Sequence, residues 1–213
     1  MSTLFQGPSL AEIAMKYTCN PRQALGLYVA GKSHIARLQP VETSATIRGE
    51  TIIIRGEPGV GKSRIATAFL EWAELNRIGH SVVGGSATGK AGSNIGLPTI
   101  HRSANIQFCE KNKKGGGKEN GDTSRKGKPS STPRDLQLKR ILEPARTYVN
   151  DECSLTRATL LWDLSEHLNK LRQVAPDKAQ IFGNLNLLMI GDFYQKIGMN
   201  LPVYGPQICA GDT

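Results

Sequence analysis

Residues 52–65, IIIRGEPGVGKSRI, constrain this chain more than any other stretch. Thr51 and the three isoleucines after it read as an apolar strand, because β-branched side chains suit a pleated surface. The residues that follow, Gly56-Glu57-Pro58-Gly59-Val60-Gly61-Lys62-Ser63, satisfy the phosphate-loop spacing GxxxxGK[ST] in full. In such a loop the glycines let consecutive backbone N–H groups face one concavity. The lysine carries positive charge to the outer phosphates, and the serine hydroxyl can ligate Mg²⁺. A helix opening near Lys62 adds the positive end of its dipole. Gly56 to Ser63, with Arg64 in the first helical turn, are therefore the candidate nucleotide-binding residues, and the chain is expected to be an α/β protein.

The rest of the pattern agrees. Residues 10–38 carry helical periodicity: Leu10, Ile13, Ala14 and Tyr17, then Ala24, Leu25, Leu27, Tyr28, Ile35 and Leu38 after an Asn20-Pro21 break. Lys62 to Asn76 reads as a helix burying Ile65, Phe69, Trp72 and Ala73. A short strand follows at Ser81-Val82-Val83, with a glycine-rich turn beginning at Gly84. Another strand is predicted near Tyr148-Val149, then a helix with Leu160, Leu161, Leu164, Leu168 and Leu171 on one face. A last buried strand, Leu187 to Ile190, ends at Gly191-Asp192. Strand, loop, helix, repeated, predicts a mostly parallel sheet flanked by helices.

The formal net charge of +9 favours a polyanionic partner but says nothing about fold. Much of that excess is local. Residues 110–134 contain no hydrophobic side chain and are rich in Lys and Arg, which predicts a disordered basic insertion. The four cysteines, Cys19, Cys109, Cys153 and Cys209, form no CxxC pair and no zinc-ligand spacing, and read as reduced thiols of an intracellular protein. No apolar run approaches the length of a membrane span.

Two further elements can carry chemistry. Asp151-Glu152 follows the Tyr148-Val149 strand: an Asp at a strand tip can hold Mg²⁺, and the adjacent Glu can orient and deprotonate a water. Asn150, where an apolar strand residue is expected, makes the end of that strand less secure. The other element, Gly191-Asp192-Phe193-Tyr194-Gln195, lies directly after a buried strand, where a Gln can reach a terminal phosphate.

In order, the motifs are Asn20-x-x-Gln23, GEPGVGKS, Thr88-Gly89-Lys90-Ala91 through Asn94-Ile95 to Thr99-Ile100-His101, Asp151-Glu152-Cys153-Ser154-Leu155 and Gly191-Asp192-Phe193-Tyr194-Gln195. This series resembles the petite-integration-frequency (PIF) DNA helicases and the related Helitron helicases of superfamily 1. The resemblance implies a RecA-like P-loop ATPase domain over 49–205, preceded by a helical region over 1–48 and followed by a tail at 206–213. By that resemblance Gln23 reads the adenine of ATP. Lys62 and Ser63 serve the phosphates and Mg²⁺, Asp151 holds the Mg²⁺, Glu152 acts on the catalytic water, and Gln195 senses the γ-phosphate. Thr88, Gly89, Lys90, Asn94 and His101 lie along single-stranded DNA. His101 also has a plain reading as a packing residue, and His34, His80 and His167 have no partner legible in the sequence.

What the resemblance implies in function is ATP-driven 5′-to-3′ movement on single-stranded DNA, in repair, recombination or telomere maintenance, with a nuclear or mitochondrial setting. The chain departs from the pattern after Gln195, where Lys196-Ile197-Gly198-Met199 replaces the family's Leu-Pro-Pro segment. Helicases of this kind hydrolyse ATP between two RecA-like domains, and the residues after Gln195 are too few for a second one, so these residues are expected to hold one motor domain. A nucleotide-binding or DNA-binding module without useful catalysis, such as a transposon relic, stays open. A GTPase is disfavoured, since Asn112-Lys113 and Asn169-Lys170 both lack the Asp of the guanine-reading motif.

Overall fold

The computed structural model describes residues 6–38, 48–104, 133–172 and 181–192. Four strands, β1 (Thr51–Arg55), β2 (Val82–Ser86), β3 (Thr147–Asp151) and β4 (Asn186–Gly191), form one sheet in the order β1-β4-β3-β2. Every pairing is parallel. Parallel neighbours need crossovers, and here the described crossovers carry helices: α3 (Lys62–Leu75) between β1 and β2, and α7 (Ala158–Leu171) between β3 and β4. Both faces of the sheet are thereby covered, which explains why β3 and β4 are buried along their whole length. This is the expected α/β architecture.

Two apolar clusters sandwich the sheet. On one face Val149, Leu188 and Ile190 pack with Ile65, Phe69 and Trp72 of α3 and with Ile13 and Leu27 of the N-terminal helices α1 (Leu10–Lys16) and α2 (Pro21–Leu38). On the other, Tyr148, Leu187 and Met189 pack against Leu161, Leu164, Leu168 and Leu171 of α7. The N-terminal helices thus share a core with the sheet. Helix α1 starts at a capping box in which Ser9 and Glu12 exchange hydrogen bonds. Its C-terminal end is tied to α3 by Lys16 and Tyr17, which both bond the Glu71 carboxylate. His34 of α2, fully buried, bonds Thr147 Oγ1 through Nδ1 at 2.7 Å and Ser81 Oγ through Nε2 at 2.9 Å. Its ring stands edge-on to Phe69 and Trp72. Burial first, and then the nearby Arg146 and His80, lower its pKa to about 4, so the ring is neutral and both nitrogens are used.

The structure corrects several expectations. Gly84 and Gly85 do not begin a turn but continue β2 to Ser86. Each is small for its own reason: a Cβ on Gly84 would stand 2.5 Å from the Val149 carbonyl oxygen of β3, and one on Gly85 2.9 Å from the Ile100 Cα and N of helix α5 (Ile100–Ala104), which lies on the strand. The basic segment was expected to be without order up to 134, yet helix α6 (Pro133–Leu142) begins at Pro133 and buries Leu138 and Leu142. Residues 110–132 lie outside the described residues. The strand holds through Asn150 to Asp151 despite the polar side chain. Leu25 and Tyr28, part of the apolar periodicity of α2, are 62% and 51% exposed, along the groove that α2 forms with α1.

Candidate nucleotide-binding site

The phosphate loop joins β1 to α3 at the C-terminal edge of the sheet, where ligands of open parallel sheets gather. Gly59 and Gly61 have φ of 77° and 78°, in the left-handed region. Gly61 is the residue before α3, which starts with no side-chain cap. Its position has a second requirement: a Cβ there would stand 2.6 Å from the Gln23 Nε2. Gln23 itself is fixed by a reciprocal pair, its N–H donating to Asn20 Oδ1 and the Asn20 N–H to its Oε1, each at 2.9 Å. The free end of its amide, Nε2, donates to the Val60 carbonyl at 2.8 Å. The structure thus brings Gln23 onto the loop.

Lys62 Nζ donates to the Gly56 and Glu57 carbonyls at 2.7 and 2.5 Å and stands 3.9 Å from Asp192 Oδ2. Ser63 Oγ lies 3.3–3.4 Å from both carboxylate oxygens of Asp151. Asp151 ends β3, nearly buried, and burial pushes its pKa above the ordinary carboxylate value. The Glu152 N–H, the Ser63 hydroxyl and the Lys62 charge oppose that rise, while the Glu152 charge adds to it. A buried carboxylate beside a hydroxyl and held by only partial compensation suits a divalent cation, which would favour its ionised form. Among the described residues no group of three or more His, Cys, Asp or Glu could hold a metal ion; Ser63 Oγ and the Asp151 carboxylate are neighbouring oxygen donors at the end of the loop.

A cavity of about 270 Å³ opens between these groups, lined by Gly59, Lys62, Ser63, Asp151, Glu152 and Asp192 among others. Its size and polar lining fit a phosphate chain. A larger groove of about 780 Å³, apolar and bounded by α1 and α2, lies away from the loop. Glu152 has φ 54°, rare for a residue with a side chain, and turns out of the strand tip. Its Oε2 accepts a hydrogen bond of 2.8 Å from the Thr88 hydroxyl. Thr88 caps helix α4 (Gly89–Ile95), whose exposed face carries Gly89, Lys90 and Asn94, while Ala91 and Ile95 are buried. His101 is half-buried on α5, and burial lowers its pKa. Arg64 is exposed on the first turn of α3.

The structure therefore assembles Gln23, the loop, Ser63, Asp151 and Glu152 in one place, with Thr88 joined to it. Gln195 lies outside the described residues, as do Phe193 and Tyr194. Sequence reasoning assigned no role to Asp192 and Ser154, both of which line the cavity; the Asp192 N–H donates to Ser154 Oγ at 3.3 Å. The position of Asp192 directly after a buried strand was the available signal.

No protein-family model matches the chain, and no curated protein matches it. Solved structures do. A Pif1 helicase from Candida albicans aligns over 89% of this chain and 35% of its own, at 20% identity and a TM-score of 0.55. A Bacteroides Pif1 bound to single-stranded DNA aligns over 88% and 34%, at 18% identity and a TM-score of 0.51. A Bacteroides Pif1 in complex with ADP-AlF4 gives the same coverage, at 18% identity and a TM-score of 0.50. The likeness shows the fold, the parallel sheet flanked by helices of the RecA-like helicase domain. The chain spans about a third of the length of the structures it matches.

Proposed function

We propose that this chain carries a RecA-like motor domain of a Pif1-type DNA helicase, which binds ATP with Mg²⁺ and couples its hydrolysis to movement on single-stranded DNA. The observation that carries the reading is the convergence of the loop, Ser63, Asp151 and Glu152 on one polar cavity at the strand tips. Bound ATP and Mg²⁺ would supply the phosphoanhydride bond and the cation that neutralises its charge. The remaining roles belong to the chain. The N–H groups of the loop and of the start of α3 hold the phosphates, and Lys62 exchanges its carbonyl partners for phosphate oxygens. Ser63 and Asp151 hold the cation. Glu152 orients a water and takes its proton, and Gln23 braces the loop at Val60 while reading the base. Gln195 senses the terminal phosphate, and the exposed face of α4 with His101 contacts the DNA backbone. The catalytic set is completed by a second RecA-like domain, whose arginine finger in such enzymes contributes about 10³–10⁵ in rate.

The 5′-to-3′ direction, the setting in repair, recombination and telomere maintenance, and the nuclear or mitochondrial location rest on the sequence resemblance and belong to the same proposal. The relatives seen with single-stranded DNA and with ADP-AlF4 support the choice of ligands. The test is binding of a fluorescent ATP analogue with Mg²⁺, followed by ATP turnover with and without oligothymidine. Binding that Lys62→Ala abolishes in a folded protein, and turnover raised by DNA, are expected. Saturable binding without any effect of DNA would leave a nucleotide-binding module in place of a motor, and loss of binding from the wild type would end the reading.

A further inference from the structure

Thr88, at the start of the proposed DNA face Thr88–His101, shares a hydrogen bond with the proposed base Glu152. The sheet explains why they meet. Ser86 of β2 is in register with Asp151 of β3, and the ladder runs one step further, the Ala87 N–H donating to the Asp151 carbonyl at 3.2 Å. The next residues, Thr88 and Glu152, therefore leave the sheet side by side, and the left-handed backbone of Glu152 turns it out of the strand line there. The Thr88 hydroxyl has one proton and two lone pairs, and both kinds of capacity are used. It donates to Glu152 Oε2 at 2.8 Å and accepts from the Ala91 N–H, within α4, at 3.3 Å. One side chain thus fastens the carboxylate that lines the nucleotide cavity to the helix that carries the exposed Lys90 and Asn94.

We propose that Thr88 is the positioning residue for Glu152, and that occupancy of the α4 face reaches the nucleotide cavity through this hydroxyl. The inference rests on the motor reading above and names its internal coupling. A displacement of α4 carries Thr88 with it, because the cap is part of the helix, and so re-aims the carboxylate. Coupling between two ligands is reciprocal, so it can be read from binding alone.

The experiment measures the affinity of the full chain for a fluorescent, non-hydrolysable ATP analogue with Mg²⁺, in the absence and presence of saturating oligothymidine. Wild type is expected to show a change of about fivefold or more, the lower end of ordinary coupling. Thr88→Val, which keeps the shape and loses the hydroxyl, is expected to cut the change to below about twofold, and Thr88→Ser to restore it. Glu152→Ala severs the same bond from its other end and serves if the valine variant does not fold. When both single variants fold, the double variant should lose no more coupling than either one. Full coupling in Thr88→Val, or additive losses in the double variant, overturns the proposal. So does a wild type that binds both ligands independently, an outcome that leaves the nucleotide site itself intact. A wild type that binds no nucleotide overturns the motor reading, and this inference with it.

Discussion

Asn150 offers the sharpest test of the physical reading. It sits in the body of β3, fully buried, in register with Gly85 on one side and Met189 on the other. Neither its Nδ2 nor its Oδ1 has a hydrogen-bond partner among the described residues. A buried amide left without partners costs about 1–3 kcal/mol, and an apolar side chain of similar size removes that cost. Valine also favours the strand conformation. Asn150→Val is therefore expected to stabilise the fold by about 1–3 kcal/mol. For a domain of this size that raises Tm by roughly 2–4 °C per kcal/mol. Urea denaturation followed by far-ultraviolet circular dichroism measures it, with an unchanged m value showing that the native and unfolded surfaces are comparable. A variant no more stable than wild type would refute the reasoning, because the amide must then find partners in the folded chain.

Other outcomes follow from the same structure. His34 is neutral in the fold with a pKa lowered from 6.5 to about 4, so between those values the unfolded chain binds the extra proton. Its contribution is complete above pH 6.5 and is lost as pH falls, which should lower stability by about 2 kcal/mol between pH 7.5 and pH 5; a flat denaturation profile over that window contradicts it. Asp151, whose pKa burial raises, opposes folding when ionised at neutral pH. Asp151→Asn should therefore melt at a higher temperature than wild type without ligand, yet lose the Mg²⁺-dependent tightening of nucleotide binding seen by titration calorimetry. Gly85→Ala puts a methyl 2.9 Å from the Ile100 backbone and should cost about 1–3 kcal/mol in the same urea assay.

What was legible in the sequence depended on the range of the interaction. The loop could be placed because its chemistry is local: glycine torsions, one lysine and one hydroxyl within a few residues. The strands at 51–55 and 186–191 announced themselves as apolar runs: β4 is buried along its whole length inside the sheet, while β1, an edge strand that leaves Ile53 exposed, was legible from its β-branched residues. Gly84 and Gly85 misled because glycine signals a turn, whereas here Gly84 makes room for Val149 of β3 and Gly85 for α5, contacts set by tertiary packing. Helix α6 was hidden by the polar segment it follows; of its apolar residues Leu138 and Leu142 are buried, while Leu136 and Ile141 are exposed. His34 was opaque for the same reason as the Thr88–Glu152 bond: its partners, Ser81 and Thr147, are distant in sequence and meet only when the sheet forms.

Helix α2 makes polar contacts towards both ends: Gln23 on the Val60 carbonyl at one, and at the other His34 between Ser81 and Thr147, Ser33 with Glu50 and Asn186, and Arg37 on the Asn184 carbonyl. Eleven positions apart, Gln23 and His34 are separated by roughly 16 Å along the helix axis. The rod is thus pinned near the strand beginnings and rests its far end on the loop beyond the strand endings. The curvature of the loop is consequently gauged against the whole depth of the sheet, and a substitution at the remote pin should be felt as slackness where the phosphates are gripped.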